Sequence, residues 1–169
     1  MEFGIARPRQ QQLGALRDIE LAAFETLRAA GAVSGPAQAS DITQLEQYFR
    51  DGLLLAAYEQ AGTPVGFIAG MVIESWLYIA ELDVHPHWQR QGVGRKLLQA
   101  AVDIATEQRL CGVALTTDRL VPFNAPFYCK LGFKVLTQEC CPAWLQSKLQ
   151  AERLQGLQSD RRVAMIRGE

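Results

Sequence analysis

The sequence lacks the features of several large protein classes. No apolar run approaches the roughly 18 residues that a membrane-spanning helix needs. The N-terminal residues do not show the basic region followed by an apolar region that marks a secretory signal. Lysine and arginine (17) do not exceed aspartate and glutamate (18), so the net charge is −1, without the basic excess of nucleic-acid or anionic-membrane binders. We expect a cytoplasmic protein with no nucleic-acid or membrane partner.

Metal-ligand and disulfide patterns are also sparse. The cysteines form no C-x-x-C pair and no zinc spacing, which favours reduced thiols with packing roles; they are Cys111, Cys129, Cys140 and Cys141. Asp83, His85 and His87 lie close together in the sequence, but Pro86 interrupts the regular strand face that a shared ligand set would use. We expect no metal.

What the chain does have is an alternation of short strands and longer helices. Apolar positions recur at helical spacing from Leu13 to Leu27, ahead of a stop at Gly31, and the turn QAGTP joins two apolar runs as a hairpin. Ser40 is the expected N-cap of a second, short helix. The patterns predict strands at 3–7, 53–59, 65–73, 76–84, 113–117, 133–136 and 162–166, and helices at 13–27, 41–51, 94–110, 125–131 and 144–157.

The predicted elements give a fold class. The hairpin is antiparallel, whereas the strand–helix–strand unit from 76 to 117 favours a parallel pair. The sequence therefore predicts an α/β fold with a mixed sheet of about seven strands flanked by helices. With 169 residues, 49% of them hydrophobic, and no repeat or linker, the whole of 1–169 is expected to form one domain.

The stretch QRQGVGRKLL, residues 89–98, is the first candidate for a binding site. It follows a strand and opens a helix, where free backbone N–H groups and the helix dipole attract an anion. Gly92 and Gly94 allow a ligand to approach the backbone closely. A dinucleotide fingerprint would need a third glycine where Leu97 stands, and a P-loop would need Ser or Thr after the lysine. An anion site and a plain strand–helix connection both remain open on this pattern alone.

Two segments together resemble a known family. LDVHPHWQRQGVGRKLL is similar to the acetyl-CoA signature of the GNAT superfamily of N-acetyltransferases, whose core is Gln/Arg-x-x-Gly-x-Gly/Ala; Gln89, Gly92 and Gly94 fill its three fixed positions. NAPFYCKLGF, residues 124–133, resembles the family's second segment. The resemblance follows the order of strands and helices along nearly the whole chain.

The resemblance implies a cosubstrate and its ligands. Acetyl-CoA would be held at its pyrophosphate by the backbone of the turn, and at its pantetheine arm by the strand that ends in ELDV. That strand would carry a bulge and splay from its parallel neighbour, which opens the cofactor cleft. The cofactor-binding residues that the resemblance implies are Leu82, Val84, Gln89, Arg90, Gln91, Gly92, Val93, Gly94, Arg95 and Asn124.

The resemblance also implies a catalytic tyrosine. Tyr128 matches the tyrosine that family members often use to protonate the leaving thiolate. The chain departs from the family pattern seven residues earlier, where many relatives have asparagine and this chain has Val121. Asn124 is the nearby alternative as a pantetheine ligand.

The chemistry of amine acetylation asks for a proton acceptor as well. An alkylamine with a pKa near 10 is protonated at pH 7, and only the neutral amine attacks a thioester. Glu81 and Asp83 alternate on a predicted interior strand, so both lie on one face, and we expect Glu81 to act as the base. Solvation or structural ion pairing is the alternative for both. Glu20 and Glu25 on the first long helix are further acids that could reach the acceptor.

The sequence thus predicts an acetyl-CoA-dependent N-acetyltransferase that acts on the primary amine of a small molecule. No Gly-x-Ser-x-Gly motif or nucleophilic cysteine context is present, which favours direct transfer in a ternary complex. A protein or peptide amine acceptor and a non-catalytic acyl-CoA-binding module are the alternatives. Homodimer formation is left open. Four aromatic residues, Phe24, Tyr48, Phe49 and Trp76, are candidates for the acceptor pocket or for the core.

Overall fold

The computed structural model describes residues 3–168. Its elements follow the predicted order, with most boundaries shifted by one to three residues. The strands are β1 (Gly4–Ala6), β2 (Leu53–Tyr58), β3 (Pro64–Ile73), β4 (Trp76–Val84), β5 (Gly112–Asp118), β6 (Lys134–Val135) and β7 (Arg162–Gly168). The helices are α1 (Leu13–Ala29), α2 (Ile42–Asp51), α3 (Val93–Glu107), α4 (Ala125–Lys130) and α5 (Ala143–Leu154).

The strands form one seven-stranded sheet in the order β1-β2-β3-β4-β5-β7-β6. Neighbours pair antiparallel except β4 and β5, which are parallel. Helix α3 makes the crossover between the parallel strands, as a parallel connection requires. The predicted α/β fold with a mixed sheet of about seven strands is confirmed.

Helices cover both faces of the sheet because each helix has one apolar stripe. The stripe of α3 packs with β3, β4 and β5 on one face, where Leu97, Leu98 and Ala101 are buried. The stripe of α1 packs with α2 and the other face of β2 and β3, where Leu13, Leu16 and other apolar residues are buried. Helix α5 covers the same face at the β5–β7 end.

A bulge in β4 changes the course of that strand at its middle. Ala69 of β3 pairs with Glu81, whereas the next residue, Gly70, pairs with Ile79, so Ala80 is the extra residue. Glycine is required at position 70 because a Cβ there would lie 2.2 Å from the carbonyl oxygen of Tyr78. The bulge that the family resemblance implied is therefore present.

Strands β4 and β5 separate beyond the bulge. They pair only over Trp76–Ile79 and Gly112–Leu115, although β4 continues to Val84 and β5 to Asp118. The two C-terminal halves diverge and leave a cleft between them. The expected splay of the parallel pair is confirmed, and it sets the position of the candidate site.

One predicted helix cap is wrong. Asp41 is the N-cap of α2, and its side chain accepts a hydrogen bond from the amide of Thr43 at 3.1 Å. Ser40 bonds to Glu20 of α1 instead. Sequence spacing could not separate two adjacent residues that are both good caps. Among the helices of residues 3–168, none has the length and apolar character to cross a membrane.

Candidate active site

The cleft between β4 and β5 holds a cavity of about 440 Å³. Its walls come from α1, the end of β4, the 89–95 turn and α4. The lining residues are Ala23, Thr26, Leu27, Leu82, Asp83, Val84, Trp88, Gln89, Arg90, Gly92, Val93, Gly94, Arg95, Phe123, Asn124, Phe127 and Tyr128. The cavity thus brings both sequence motifs, 89–95 and 124–128, to one place.

The turn presents the uncapped N-terminus of α3 to this cavity. Arg90 and Gly92 both have positive φ (61° and 87°), a conformation that turns successive backbone N–H groups inwards. No side chain of residues 3–168 caps α3 at Gly92, and its first turn contains no acidic residue. These free N–H groups and the helix dipole suit an anion. A Cβ at Gly94 would lie 3.8 Å from Val84 and 3.9 Å from Phe127, so its absence leaves room for a ligand.

Gln89 fixes the turn to its neighbours. Its Nε2 donates to the carbonyl oxygen of Val84 at 2.9 Å and to Oγ1 of Thr26 at 3.3 Å. One side chain thereby joins the turn, β4 and α1. Gln91 has a different role: it is exposed, donates to the carbonyl oxygen of His87 at 2.9 Å, and does not line the cavity.

The end of β4 has backbone groups that face the cleft. The amide of His85 donates to the carbonyl oxygen of Val65 on β3. Because backbone groups alternate along a strand, those of Val84 and Leu82 point away from β3, towards the diverging β5. The carbonyl of Val84 is already bonded to Gln89. The amides of Leu82 and Val84 are positioned to pair with an extended ligand.

Tyr128, on α4, lines the cavity. It is 9% exposed and packs edge-on against Phe127 and Phe133, with ring centroids at 5.3 and 5.7 Å. Burial, followed by the charge of Asp83, raises the pKa of Tyr128 above its usual range. The phenol is therefore protonated at physiological pH and available as a hydrogen-bond donor.

Asn124 and Val121 have different environments. Asn124 is the N-cap residue of α4, but its side chain makes no capping bond and it lines the cavity. Val121 is 2% exposed, and its amide donates to Oδ1 of Asp118 at 3.0 Å. The side chain of Val121 therefore belongs to the packed interior, and Asn124 is the amide side chain that reaches the cleft.

Glu81 and Asp83 lie on the sheet face that α1 covers, opposite Ala69 and Phe67 of β3. Burial, together with the charge of Glu20, raises the pKa of Asp83 to about 8. Burial also raises the pKa of Glu81 well above its usual range, and the charges of Asp83 and Glu20 raise it further. Of the two, Asp83 lines the cavity beside Tyr128.

Glu20 is a third carboxyl group at this place. Its Oε1 accepts from the amide of Ser40 at 2.8 Å and from Oγ of Ser40 at 3.1 Å. Burial raises its pKa despite these bonds. The sequence included Glu20 only as one of two helix acids. The signal that separates them is spacing: Glu20 is three residues before Ala23 and seven before Leu27, so all three share the inner face of α1.

The remaining candidates lie elsewhere. Glu25 forms an exposed ion pair with Arg28 at 3.1 Å. Of the four aromatic candidates, Tyr48 is buried near Glu81 and Glu20, whereas Phe24 and Phe49 lie under arginine side chains. No group of three or more His, Cys, Asp or Glu side chains within the described part of the chain is arranged to hold a metal.

Known proteins share this architecture. A GNAT acetyltransferase from Staphylococcus aureus Mu50 superposes with a TM-score of 0.74 at 16% identity, covering 98% of this chain and 99% of its own. The ribosomal-protein-S18-alanine N-acetyltransferase of Escherichia coli gives 0.70 at 18% identity, covering 99% and 94%. A PaiA N-acetyltransferase from Thermoplasma acidophilum, solved with coenzyme A, gives 0.68 at 19% identity over all of both chains.

The sequence itself identifies the family, because it matches a family model. The model of the acetyltransferase (GNAT) family matches residues 14–133, a range that contains all of α1 except its first residue, the bulged strand β4, the glycine turn and Tyr128. The three structural matches, all below 25% identity, show that the fold is shared. The family model shows that the chain is a member of the family. The chain belongs to the acetyltransferase (GNAT) family.

Proposed function

We propose that this protein is an acetyl-CoA-dependent N-acetyltransferase that acetylates the primary amine of a small molecule by direct transfer in a ternary complex. The observation that carries the proposal is that the 89–95 turn, Asp83 and Tyr128 line the same cavity. A candidate anion site, a candidate proton acceptor and a candidate proton donor therefore lie in one place. Structural relatives solved with coenzyme A, such as the Thermoplasma acidophilum protein, support the choice of cosubstrate.

The residues of the cleft suit coenzyme A in chemistry. The N–H groups of the turn and the first residues of α3 would hold the pyrophosphate, with Arg90 and Arg95 adding positive charge. The amides of Leu82 and Val84 would pair with the amide groups of the pantetheine arm. Bound there, acetyl-CoA supplies the activated acetyl thioester.

The acidic face of β4 would prepare the acceptor. An alkylammonium must lose a proton before its nitrogen can attack. A carboxylate whose pKa is raised by burial is a stronger base than an ordinary carboxylate once it is ionised. Burial raises the pKa of both Glu81 and Asp83, and for Asp83 the ionised form becomes the major one only above about pH 8. Tyr128, which lines the same cavity, would donate a hydrogen bond to the thiolate as it leaves.

The test is release of coenzyme A thiol from acetyl-CoA across a panel of alkylamines, amino acids and peptides. We expect turnover with at least one small amine and, without acceptor, an increase in melting temperature on adding acetyl-CoA or coenzyme A, because a ligand that binds only the folded state stabilises it. Thermal stabilisation without turnover on any acceptor would identify a non-catalytic acyl-CoA-binding module. Turnover only with peptides would reassign the acceptor.

A further inference from the structure

Phe123 is an exposed aromatic residue that lines the cofactor cavity. It precedes Asn124, the N-cap of α4, and is 41% exposed. Among residues 3–168 its ring pairs with no other aromatic ring and joins none of the buried apolar clusters. Single exposed apolar residues are common on protein surfaces. Phe123 differs from them because it lines a cavity.

The loop that carries Phe123 is held at several points. Oδ1 of Asp118 accepts from the amides of Leu120 and Val121, at 2.7 and 3.0 Å. The amide of Asn124 donates to the carbonyl oxygen of Val121 at 3.0 Å, and Val121 itself is buried. A ring on a loop held in this way loses little conformational freedom when a flat ligand packs on it.

Two cations line the same cavity. Arg90 and Arg95 flank the two glycines of the turn and are exposed, and neither forms an ion pair with an acid of the described chain. A Cβ at Gly94 would lie 3.9 Å from Phe127 of α4, so α4 lies against the start of α3. An aromatic face and unpaired cations in one cavity are the combination that suits a nucleotide, whose base stacks and whose phosphates are negatively charged.

The two arms of coenzyme A require different surroundings. With the pyrophosphate at the 89–95 turn, the pantetheine arm extends along β4 towards Asp83 and Tyr128, so the adenosine must extend the other way. Tyr128 is 9% exposed and Phe123 is 41% exposed, although both belong to one short segment. The buried residue of that segment suits the reacting thioester. The exposed one suits adenine, whose polar edges can stay in water while its face is covered.

We propose that Phe123 binds the adenine ring of coenzyme A by stacking on it. This inference rests on the proposed function and adds a residue to the binding site of its cosubstrate. An amine acceptor is a poorer occupant, because Arg90 and Arg95 repel its positive charge. The pantetheine arm is a narrow chain without a ring, so it offers no broad flat face to Phe123.

The test compares coenzyme A with 4′-phosphopantetheine, which lacks the adenine nucleotide. Calorimetric titration of the wild type and of Phe123→Ala with each ligand separates the two arms. We expect Phe123→Ala to weaken coenzyme A binding roughly 5- to 100-fold, the range for one base stacked on an aromatic side chain. The affinity for 4′-phosphopantetheine should stay unchanged.

Two further variants are the controls. Phe123→Tyr keeps an aromatic ring and should keep the affinity for coenzyme A. Leu120→Ala removes an apolar side chain of the same loop that is 58% exposed and does not line the cavity, so it should change neither affinity. Because Phe123 lies outside the buried clusters, the melting temperature of Phe123→Ala should stay near that of the wild type.

An equal loss of affinity for both ligands in Phe123→Ala would overturn the inference, since it would assign Phe123 to the pantetheine arm. So would an unchanged affinity for coenzyme A with a raised KM for the amine, which would assign Phe123 to the acceptor. The titrations do not depend on acetyl transfer. Phe123-dependent binding without turnover on any amine would refute the proposed function alone, and turnover with binding that is independent of Phe123 would refute this inference alone.

Discussion

Tyr128 is a buried phenol that packs against two aromatic rings and lines the cleft. The ordinary pKa of a phenol is near 10, and burial raises the pKa of Tyr128 further. An alkyl thiol has a pKa of about 8.5, so complete proton transfer from this phenol to the thiolate is unfavourable. The difference between the two pKa values therefore favours Tyr128 as a hydrogen-bond donor to the developing thiolate, not as a full proton donor.

Tyr128→Phe tests that role. The variant keeps the ring packing and loses the donor, so we expect kcat to fall on the order of 10²-fold with little change in acetyl-CoA affinity, because the lost bond belongs mainly to the transition state. Steady-state kinetics and melting temperature should be measured on one preparation. Full turnover with the chemical step limiting, or a loss of stability with kcat unchanged, would assign Tyr128 a packing role.

Glu81→Gln tests the proton acceptor that the sequence predicted. The substitution preserves shape and removes the base, so kcat/KM for alkylamines should fall on the order of 10²-fold. The loss should be smaller for aniline-type acceptors, which are already neutral at pH 7. Asp83→Asn, measured in parallel, shows how much of kcat/KM depends on the neighbouring carboxyl group. An equal loss of kcat/KM for both kinds of amine in Glu81→Gln would contradict the role as base.

Asp83 makes stability depend on pH. The folded protein holds the Asp83 proton up to about pH 8, whereas the unfolded chain releases it near 3.8. Folded protein thus binds more protons in this window, and the free energy of unfolding must fall as pH rises, by at most about 1.4 kcal/mol per pH unit for one proton. Urea denaturation of the free protein at several pH values should show this fall, and Asp83→Asn should reduce it. Stability that rises from pH 5 to 8 equally in both proteins would contradict the assignment.

At the scale of elements, the turn and the start of α3 form the candidate anion site. Val93, Leu97 and Leu98 anchor the helix in the core, and Gln89 holds the turn to β4 and α1. The glycines are required for different reasons. Gly92 has a left-handed φ of 87°, whereas Gly94 is helical and its missing side chain leaves the cleft open.

Gly94→Val tests the turn with little backbone strain. The new side chain would contact Val84 and Phe127 and occupy the cleft, so coenzyme A affinity should fall roughly 10- to 100-fold, the equivalent of one lost charged hydrogen bond. Gly14→Val is the control, since Gly14 is likewise the second residue of a helix and has no atom within 4 Å of an added Cβ. Calorimetric titration with coenzyme A measures both. Unchanged affinity in Gly94→Val would exclude the turn as the phosphate site.

At the scale of the whole molecule, one ion pair connects distant parts of the fold. Nε of Arg161 donates to Oδ2 of Asp118 at 2.7 Å, and Nη1 of Arg161 donates to the carbonyl oxygen of Gly31, just after α1. Oδ1 of Asp118 accepts from the amides of Leu120 and Val121. The pair thus joins α1 to the end of β5 and the start of β7, on either side of the cleft.

Asp118→Ala should destabilise the protein by about 3–5 kcal/mol, because it leaves a partly buried arginine unpaired. Burial raises the pKa of Asp118, but hydrogen bonds from Arg161 and from two amides outweigh it and hold the pKa below 3.8. The contribution of Asp118 to the free energy of unfolding is therefore present at neutral pH, and it is lost when the pH falls below the lowered pKa of Asp118. Urea denaturation measures the change, with Asp103→Ala, an exposed acid on α3, as control. A difference below 0.5 kcal/mol, the usual effect of a surface substitution, would show that the pair contributes little.

Much of this architecture follows from local patterns in the sequence. The period of apolar residues gave all seven strands and all five helices, because each element buries one face whose spacing is fixed by its backbone geometry. Gly92, Gly94 and Gln89 carried the family resemblance, and the family match confirms it. The roles predicted for Tyr128, Glu81 and the cofactor ligands remain predictions, although the fold brings most of these residues to one cleft.

Tertiary structure alone decided how the acids of the site are grouped. Glu20 and Asp83 are 63 positions apart in the sequence; helical spacing places Glu20 on the inner face of α1, but no local pattern shows that Asp83 lies against that face. Packing of α1 against β4 buries Glu20, while Glu25 pairs with Arg28 in solvent. The raised pKa values have the same origin, because desolvation depends on which elements cover a group. Sequence periodicity determined the elements, and Gln89, Gly92 and Gly94 identified the candidate cofactor turn; which charges meet inside the cleft was decided only by long-range packing.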